Sequence, residues 1–470
     1  MIETLEPDVC VIGGGAAGLS VAAAAVQLGY YVVLVERGRM GGDCLNYGCV
    51  PSKALIAAAK AAQAQRAGAA FGIAPVEPKV DFARVMDHVG EVIAAIAPND
   101  SVERFQALGV RVLKEDALFT GRNEMQAAGY CIKSRRFVLA TGSRPAIPPI
   151  PGLAEAPYLT NETIFDNRTL PRHLIVIGGG PIGLELAQAH RRLGAEVTVL
   201  ETKAFLAKDD PELSAVVVQH LRDEGVAMRE GAKVARVEGT SVVLEGGERI
   251  EGSHLLVAAG RTPNIDDLEL GKAGIAHTTR GITVDPSLRT TNRSVWAIGD
   301  CNGLYPFTHM AAYEASLFIR GAMFRAPARL DPAIVPWATY TDPELAQVGL
   351  GESEARARHG DGIKVLRWKM SDNDRAQTER ATDGLVKAIV DRRGRILGAA
   401  IVAPNAGELI QPWCLAISQR LKIAALAGFV PPYPTLGEAS KRAAGSYFTG
   451  KLFGPIGRAV VWYLKHLPVW

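Results

Sequence analysis

One pattern occurs twice in this chain, at residues 9–36 and again at 174–201, and nothing else in the sequence constrains the fold as strongly. In each copy a short apolar strand (Val9–Ile12; Leu174–Ile177) enters a glycine cluster. An alanine-rich helical stretch then ends in Leu-Gly (Leu28-Gly29; Leu193-Gly194), and a second strand finishes on an acid, Glu36 or Glu201. This is the βαβ dinucleotide-binding unit. Gly13, Gly15 and Gly18 in the first copy, and Gly178, Gly180 and Gly183 in the second, permit a tight turn, a close approach of backbone to pyrophosphate, and packing of helix on strand. The phosphates would sit at the helix N-terminus, and the acid would take ribose hydroxyls. Helix-on-strand packing without a nucleotide could use the same glycines, but the strand before, the helix after and the acid in place all favour binding. Two such sites imply two cofactors that exchange electrons. Glu201 accepts a free 2′-hydroxyl and repels a 2′-phosphate, so NADH is expected there, with NADPH the alternative that neighbouring Lys203 keeps open.

A chain of 470 residues exceeds one ordinary core and must divide. Residues 81–108 have a helical pattern, and 110–140 read as short strands leading to Ala140-Thr141-Gly142. The proline-rich stretch Pro145–Pro151 marks a crossover, and Gly260-Arg261-Thr262-Pro263-Asn264 a second one, closing the inserted nucleotide domain. The expected division is therefore 1–150 and 265–335 for the first nucleotide domain and 151–264 for the second. Residues 336–447 would form an α+β domain with helices on one side of a sheet, followed by an apolar, basic tail at 448–470. Lysine and arginine number 52 against 49 acids, too even a balance for a nucleic-acid partner. The opening stretch Met1–Asp8 lacks a basic, apolar leader, so a cytoplasmic setting is expected. Of six cysteines only Cys44 and Cys49 are close in sequence, and in a reducing compartment such a pair is redox-active or metal-binding rather than a scaffold. A metal site would need two more Cys or His ligands at suitable spacing; none is near, and no metal is expected.

The segment Gly42-Asp43-Cys44-Leu45-Asn46-Tyr47-Gly48-Cys49-Val50-Pro51-Ser52-Lys53, between the two glycine units, closely resembles that of the flavoprotein disulfide reductases. That family includes dihydrolipoamide dehydrogenase, glutathione reductase and mercuric reductase, and the resemblance runs over about residues 8–445. It implies an α/β fold with two Rossmann-like domains, for FAD and for NAD(P), plus a C-terminal α+β dimerisation domain. It implies further that Cys49 lies against the flavin as a thiolate while Cys44 faces the substrate. Lys53 and Glu185 would form an ion pair beside the reactive flavin nitrogen. Gly42, Thr141, Gly142 and Asp300 would lie on the flavin side, Asp300 holding the ribityl chain, and Gly260 and Arg261 would belong to the cofactor-side linker. Electrons would run from NADH through FAD to the Cys44–Cys49 disulfide and on to a thiol or disulfide acceptor, small molecule or protein, through a mixed disulfide.

The resemblance breaks at one position. Disulfide-reducing members carry His-Pro-Thr with a glutamate shortly after; here the run is Pro432-Tyr433-Pro434-Thr435-Leu436-Gly437-Glu438. Tyr433 and Glu438 would complete the site of the second subunit of a homodimer. A phenol is a poor base at neutral pH, which weakens a dihydrolipoamide or glutathione activity. Mercuric reductases are similar in placing tyrosine here, making soft-metal reduction an alternative, although neither an N-terminal cysteine pair nor a later pair of adjacent cysteines occurs in this sequence. A flavoprotein that senses redox state without turnover is the remaining alternative. His309 is read as a packing or backbone-bonding residue. The tail, with Phe448, Leu452, Phe453, Ile456, Val460, Val461, Trp462, Tyr463, Leu464 and Trp470 among Lys451, Arg458 and Lys465, could lie on a membrane surface or pack on protein.

Overall fold

A computed structural model describes residues 3–468; Met1, Ile2 and Trp470, which the sequence reading included, lie outside them. The chain forms two compact units. One comprises the chain up to Thr202 together with Arg229–Asp331, and the other Lys203–Met228 with the chain from Pro332 onward.

In the first unit, each nucleotide-type repeat builds its own parallel sheet. Strands Val295–Ala297, Phe137–Leu139, Val9–Ile12, Val32–Val35 and Arg111–Leu113 lie side by side in that order, every neighbour parallel. All four residues of Val9–Ile12 and of Val32–Val35 are buried, as continuous apolar runs covered on both faces require. The second repeat sets Tyr158–Leu159, His254–Val257, His173–Ile177 and Glu196–Glu201 in order, again parallel. Helices Ala16–Gln27 and Pro181–Arg192 make the two crossovers. The two linkers are not loose: Ser143–Pro145 and Arg261–Pro263 pair antiparallel, Pro263 opposite Ser143 and Arg261 opposite Pro145.

The second unit holds a five-stranded antiparallel sheet in the order Pro336–Thr339, Glu344–Gly349, Ile396–Ala403, Leu385–Asp391, Ile363–Lys369. Buried Trp413, Ala439, Ala443, Ala444 and Tyr447 pack from helices onto one face, and Trp413 Nε1 donates to Ser440 Oγ at 3.0 Å. Helices on one side only was the expectation. Instead, helix Pro211–Asp223 joins this unit and packs against strands Glu344–Gly349 and Ile396–Ala403. Lys387, 5 % exposed, anchors that helix through Asp210 (2.7 Å), Glu212 (3.0 Å) and Glu352 (2.8 Å). A buried cation demands such partners, and leaving the carboxylates without it would cost about 3–5 kcal/mol. Helix Glu438–Leu452 carries Phe448 against the core, so the solvent-facing tail starts after it and contains a further helix, Pro455–Leu464. Among the described residues no helix is long and apolar enough to cross a membrane.

Candidate active site

Cys49 is the first residue of helix Cys49–Arg66, capped by Gly48. Pro51, the third residue, does not force a later start: proline in a first turn forfeits only an N–H that would lack a helical partner anyway. The consequence is chemical, because the helix N-terminus favours a thiolate. Cys44 sits in the preceding short helix, Gly42–Asn46, and bonds to the Cys49 sulfur. That bond, the Thr308 hydroxyl at 3.4 Å and the Lys53 charge together lower the Cys49 thiol to about 6, against the opposing effect of burial. The Cys44 thiol is pushed up, first by its bond to Cys49 and then by burial, so the pair shares one proton and keeps it on Cys44. The remaining shifted thiols go the other way: burial raises Cys10, takes Cys301 to about 12 and Cys414 to about 11.

Lys53 follows Cys49 by four residues, hence on the same helix face. Its Nζ lies 2.7 Å from Glu185 Oε2, and the Glu185 side chain is 6 % exposed. Glu185 belongs to helix Pro181–Arg192 of the second repeat, so this pair ties the cysteine helix to the second nucleotide unit.

Arg261 is no surface residue. With its side chain 15 % exposed, it reaches Asp43 Oδ1 at 3.1 Å and Asp300 Oδ2 at 3.7 Å. It also donates to Ser143 Oγ at 2.7 Å and to Ser143 O at 2.9 Å. Asp43 accepts a further bond from Asn161 Nδ2 at 3.1 Å. One guanidinium thus fixes the cysteine loop, the linker and the Asp300 turn together. Burial raises the Asp300 carboxyl, opposed by the Ser143 hydroxyl and by Arg261. Thr141 Oγ1 donates to Asn264 O at 2.7 Å, and the Asn264 amide bonds Gly142 O at 3.0 Å, closing the second linker motif on the first.

The glycine positions fit close backbone passage. A Cβ on Gly18 would stand 1.9 Å from Gly13 O, and one on Gly183 2.0 Å from Gly178 O. The two acids behave alike: Glu36 accepts from the amides of Gly14 and Gly38, and Glu201 from that of Gly179 at 2.8 Å. They therefore brace their own glycine loops, a role the sequence reading did not assign. Gly260 has φ +129° beside Ala146.

Tyr433 and Glu438 lie in the second unit. Tyr433 donates to Asp374 Oδ2 at 2.8 Å, and that carboxylate pushes its phenol up. Glu438 opens helix Glu438–Leu452 and accepts from Arg442 at 2.8 Å. His309 stacks on Phe307, centroids 5.3 Å apart. Thr308, Ser143, Asn161 and Glu314 were missed. Glu314 is fully buried and accepts from Gly299 N at 2.7 Å and Asn302 Nδ2 at 2.8 Å, beneath the Asp300 turn, and burial raises it to about 7.

Residues 7–315 match a family described as pyridine nucleotide-disulphide oxidoreductase, and residues 335–444 match that family's dimerisation domain. The chain is 34% identical over 455 residues to mercuric reductase of Streptomyces lividans, covering 94% of this chain and 96% of that protein. It is 33% identical over 461 residues to dihydrolipoyl dehydrogenase of Geobacillus stearothermophilus, covering 94% and 96%. Among solved structures, the HOCl-induced flavoprotein disulfide reductase RclA of Escherichia coli, as its Cu(II) complex, aligns with TM-score 0.84 at 26% identity, over 94% of this chain and all of that one. LpdA of Mycobacterium tuberculosis aligns with TM-score 0.85 at 28% identity, over 93% and 99%.

Proposed function

The chain belongs to the pyridine nucleotide-disulphide oxidoreductase family, and from that premise we propose that it draws electrons from NADH, collects them on the Cys44–Cys49 pair and delivers them to a thiol- or disulfide-type acceptor. It is an FAD-dependent enzyme that uses NAD(P)H. Bound FAD supplies a ring that accepts a two-electron donor's hydride and couples it to a disulfide. The first glycine loop, Gly42, Thr141, Gly142 and Asp300 would hold it, while the second glycine loop and Glu201 would hold NADH. Lys53 and Glu185 hold a fixed opposite-charge pair one helical turn from Cys49.

The observation that carries this reading is the placement of Cys49 at a helix N-terminus, with Thr308 and Lys53 supporting its thiolate. Two electrons and one proton convert the disulfide to Cys49 thiolate and Cys44 thiol. Cys44 attacks an acceptor disulfide and its proton goes to the leaving sulfur, which departs as the first thiol; Cys49 then attacks Cys44, re-forming the internal disulfide and releasing the second sulfur as a thiolate that takes its proton from water. The chain would act as a homodimer, a reading supported by its dimerisation-domain match, with Tyr433 and Glu438 contributed to the partner's site. A reducing compartment such as the cytoplasm suits a redox-active pair of this kind.

A soft-metal ion as acceptor is the second reading. Tyr433, bonded to the Asp374 carboxylate, is ill suited to take the Cys44 proton but can support a bound metal, and mercuric reductase is a relative. Anaerobic titration with NADH, followed by lipoamide, glutathione disulfide, or Hg(II) in excess thiol, tests both. The expected result is a long-wavelength thiolate band that one acceptor discharges; absence of the band would sink the dithiol reading, and the discharging compound names the acceptor class.

A further inference from the structure

We infer that helix Pro455–Leu464 is an interfacial anchor that lays the enzyme on an anionic lipid bilayer. None of its residues is buried: Ile456 is 81%, Trp462 65% and Tyr463 62% exposed. At 3.6 residues per turn, Ile456, Val460, Tyr463 and Leu464 share one side, and Leu467 continues it. Arg458 and Lys465, seven apart, fall opposite. Ten residues are too few to span a bilayer, which takes about 20, so the helix can only lie in the interface.

Charge selects the surface. Residues 448–470 contain Lys451, Arg458 and Lys465 and no aspartate or glutamate. The base of the tail is cationic as well. Lys364 and Lys451 stand over the Tyr447 ring at 4.9 and 5.3 Å, and Tyr447 donates to Arg392 O at 3.0 Å. Arg392 belongs to a hairpin turn with Arg393 and Arg395, which lines a shallow cavity with His359, Asp361 and Asp391. The Asp391 carboxylate is committed to the amides of Arg393 and Arg395 at 2.8 Å. With the apolar side in the acyl boundary, the long Arg458 and Lys465 side chains on the other side reach the anionic headgroup layer, where Trp462 beside them also sits.

The test is flotation of FAD-loaded full-length protein with vesicles of phosphatidylcholine alone or with about 30 mol % phosphatidylglycerol. Binding is expected only to the anionic vesicles, weakening as salt rises. A chain truncated after Gly454 should lose it. Arg458→Gln with Lys465→Gln should weaken it about thirtyfold, and Val460→Glu with Leu464→Glu at least about tenfold, while all retain FAD. The inference is overturned by no binding, by binding that truncation leaves unchanged, or by equal binding to neutral vesicles. Tail-dependent self-association on gel filtration without flotation overturns it too, assigning the face to a second copy.

Discussion

The two glycine units share one design but not one environment. In the first, the cysteine-bearing segment folds over the loop: Gly41 N donates to Gly14 O at 2.8 Å, and a Cβ on Gly42 would stand 2.7 Å from Gly15 Cα. In the second, a Cβ on Gly180 would meet nothing within 4 Å. The same βαβ unit thus makes a roofed site when followed by the cysteine helix and an open one when not. A roofed site suits a cofactor retained through turnover; an open one suits a cofactor that binds and leaves. In the proposed reaction the roof would also be the electron exit, since it carries Cys44 and Cys49, and the Lys53–Glu185 pair bridges roof and open copy.

The strongest way to break this division is to remove the exit alone. Cys49→Ser should cut acceptor turnover at least about a thousandfold and abolish the thiolate band, because a hydroxyl neither ionises near neutrality nor forms the disulfide. Flavin absorbance should still bleach with NADH, because the open copy is untouched. If bleaching fails as well, entry and exit are not separate.

Next in size is a paired glycine experiment. Gly42 has φ +61°, so Gly42→Ala meets strain as well as the Gly15 backbone. A cost of about 1–3 kcal/mol corresponds to FAD binding weakened roughly five- to 150-fold. Gly180→Ala should keep its FAD and raise only the KM for NADH. Equal loss of FAD from both variants would contradict the roofed and open assignment.

The difference between the copies was only partly legible in the sequence. The repeats were readable because strand, glycines, helix and acid lie within 28 residues of one another at matching spacing. The roof was not, because it rests on contacts between distant segments: Thr308 reaches Cys49 across 259 positions, and Arg261 reaches Ser143 across 118. The start of helix Cys49–Arg66 was obscured by Pro51, which reads as a helix opening although its third position is equally permitted. The bracing role of Glu36 and Glu201 was hidden because an acid at a strand end satisfies the ribose rule by itself. Helix Pro211–Asp223 follows the second repeat in sequence but packs with the later sheet through Lys387, a buried charge whose partners no local pattern reveals.

A subtler change sharpens the picture of the exit. Thr308→Val removes one of the groups that hold the Cys49 thiol down. In the wild type the thiolate band should persist above about pH 6 and disappear as pH falls through it. Because the folded value is depressed below the ordinary thiol's, the stabilisation from ionising Cys49 is complete only at alkaline pH and is lost as pH falls toward that point. The variant should lose the band at higher pH, with the NADH bleaching rate unchanged. A pH titration of the reduced enzyme reads this directly; an unmoved midpoint would mean that the bond from Cys44 and the Lys53 charge suffice.

The smallest expected effect separates the two bracing acids. Glu201→Gln keeps an oxygen that can accept from Gly179 N, so the loop should hold, but it removes the charge that repels a 2′-phosphate. NADPH kcat/KM should rise about tenfold, an electrostatic difference of about 1.4 kcal/mol, while NADH changes by less than about threefold. Glu36→Gln in the roofed copy should leave the NADH to NADPH ratio where it was, because its carboxylate serves the amides of Gly14 and Gly38 in the loop proposed for FAD. Steady-state kinetics with both nicotinamides decides. If Glu201→Gln leaves the ratio unmoved, the acid acts only as a brace, as Glu36 does on its own loop, and the open copy's choice of nucleotide is made by Lys203 or by the residues around it.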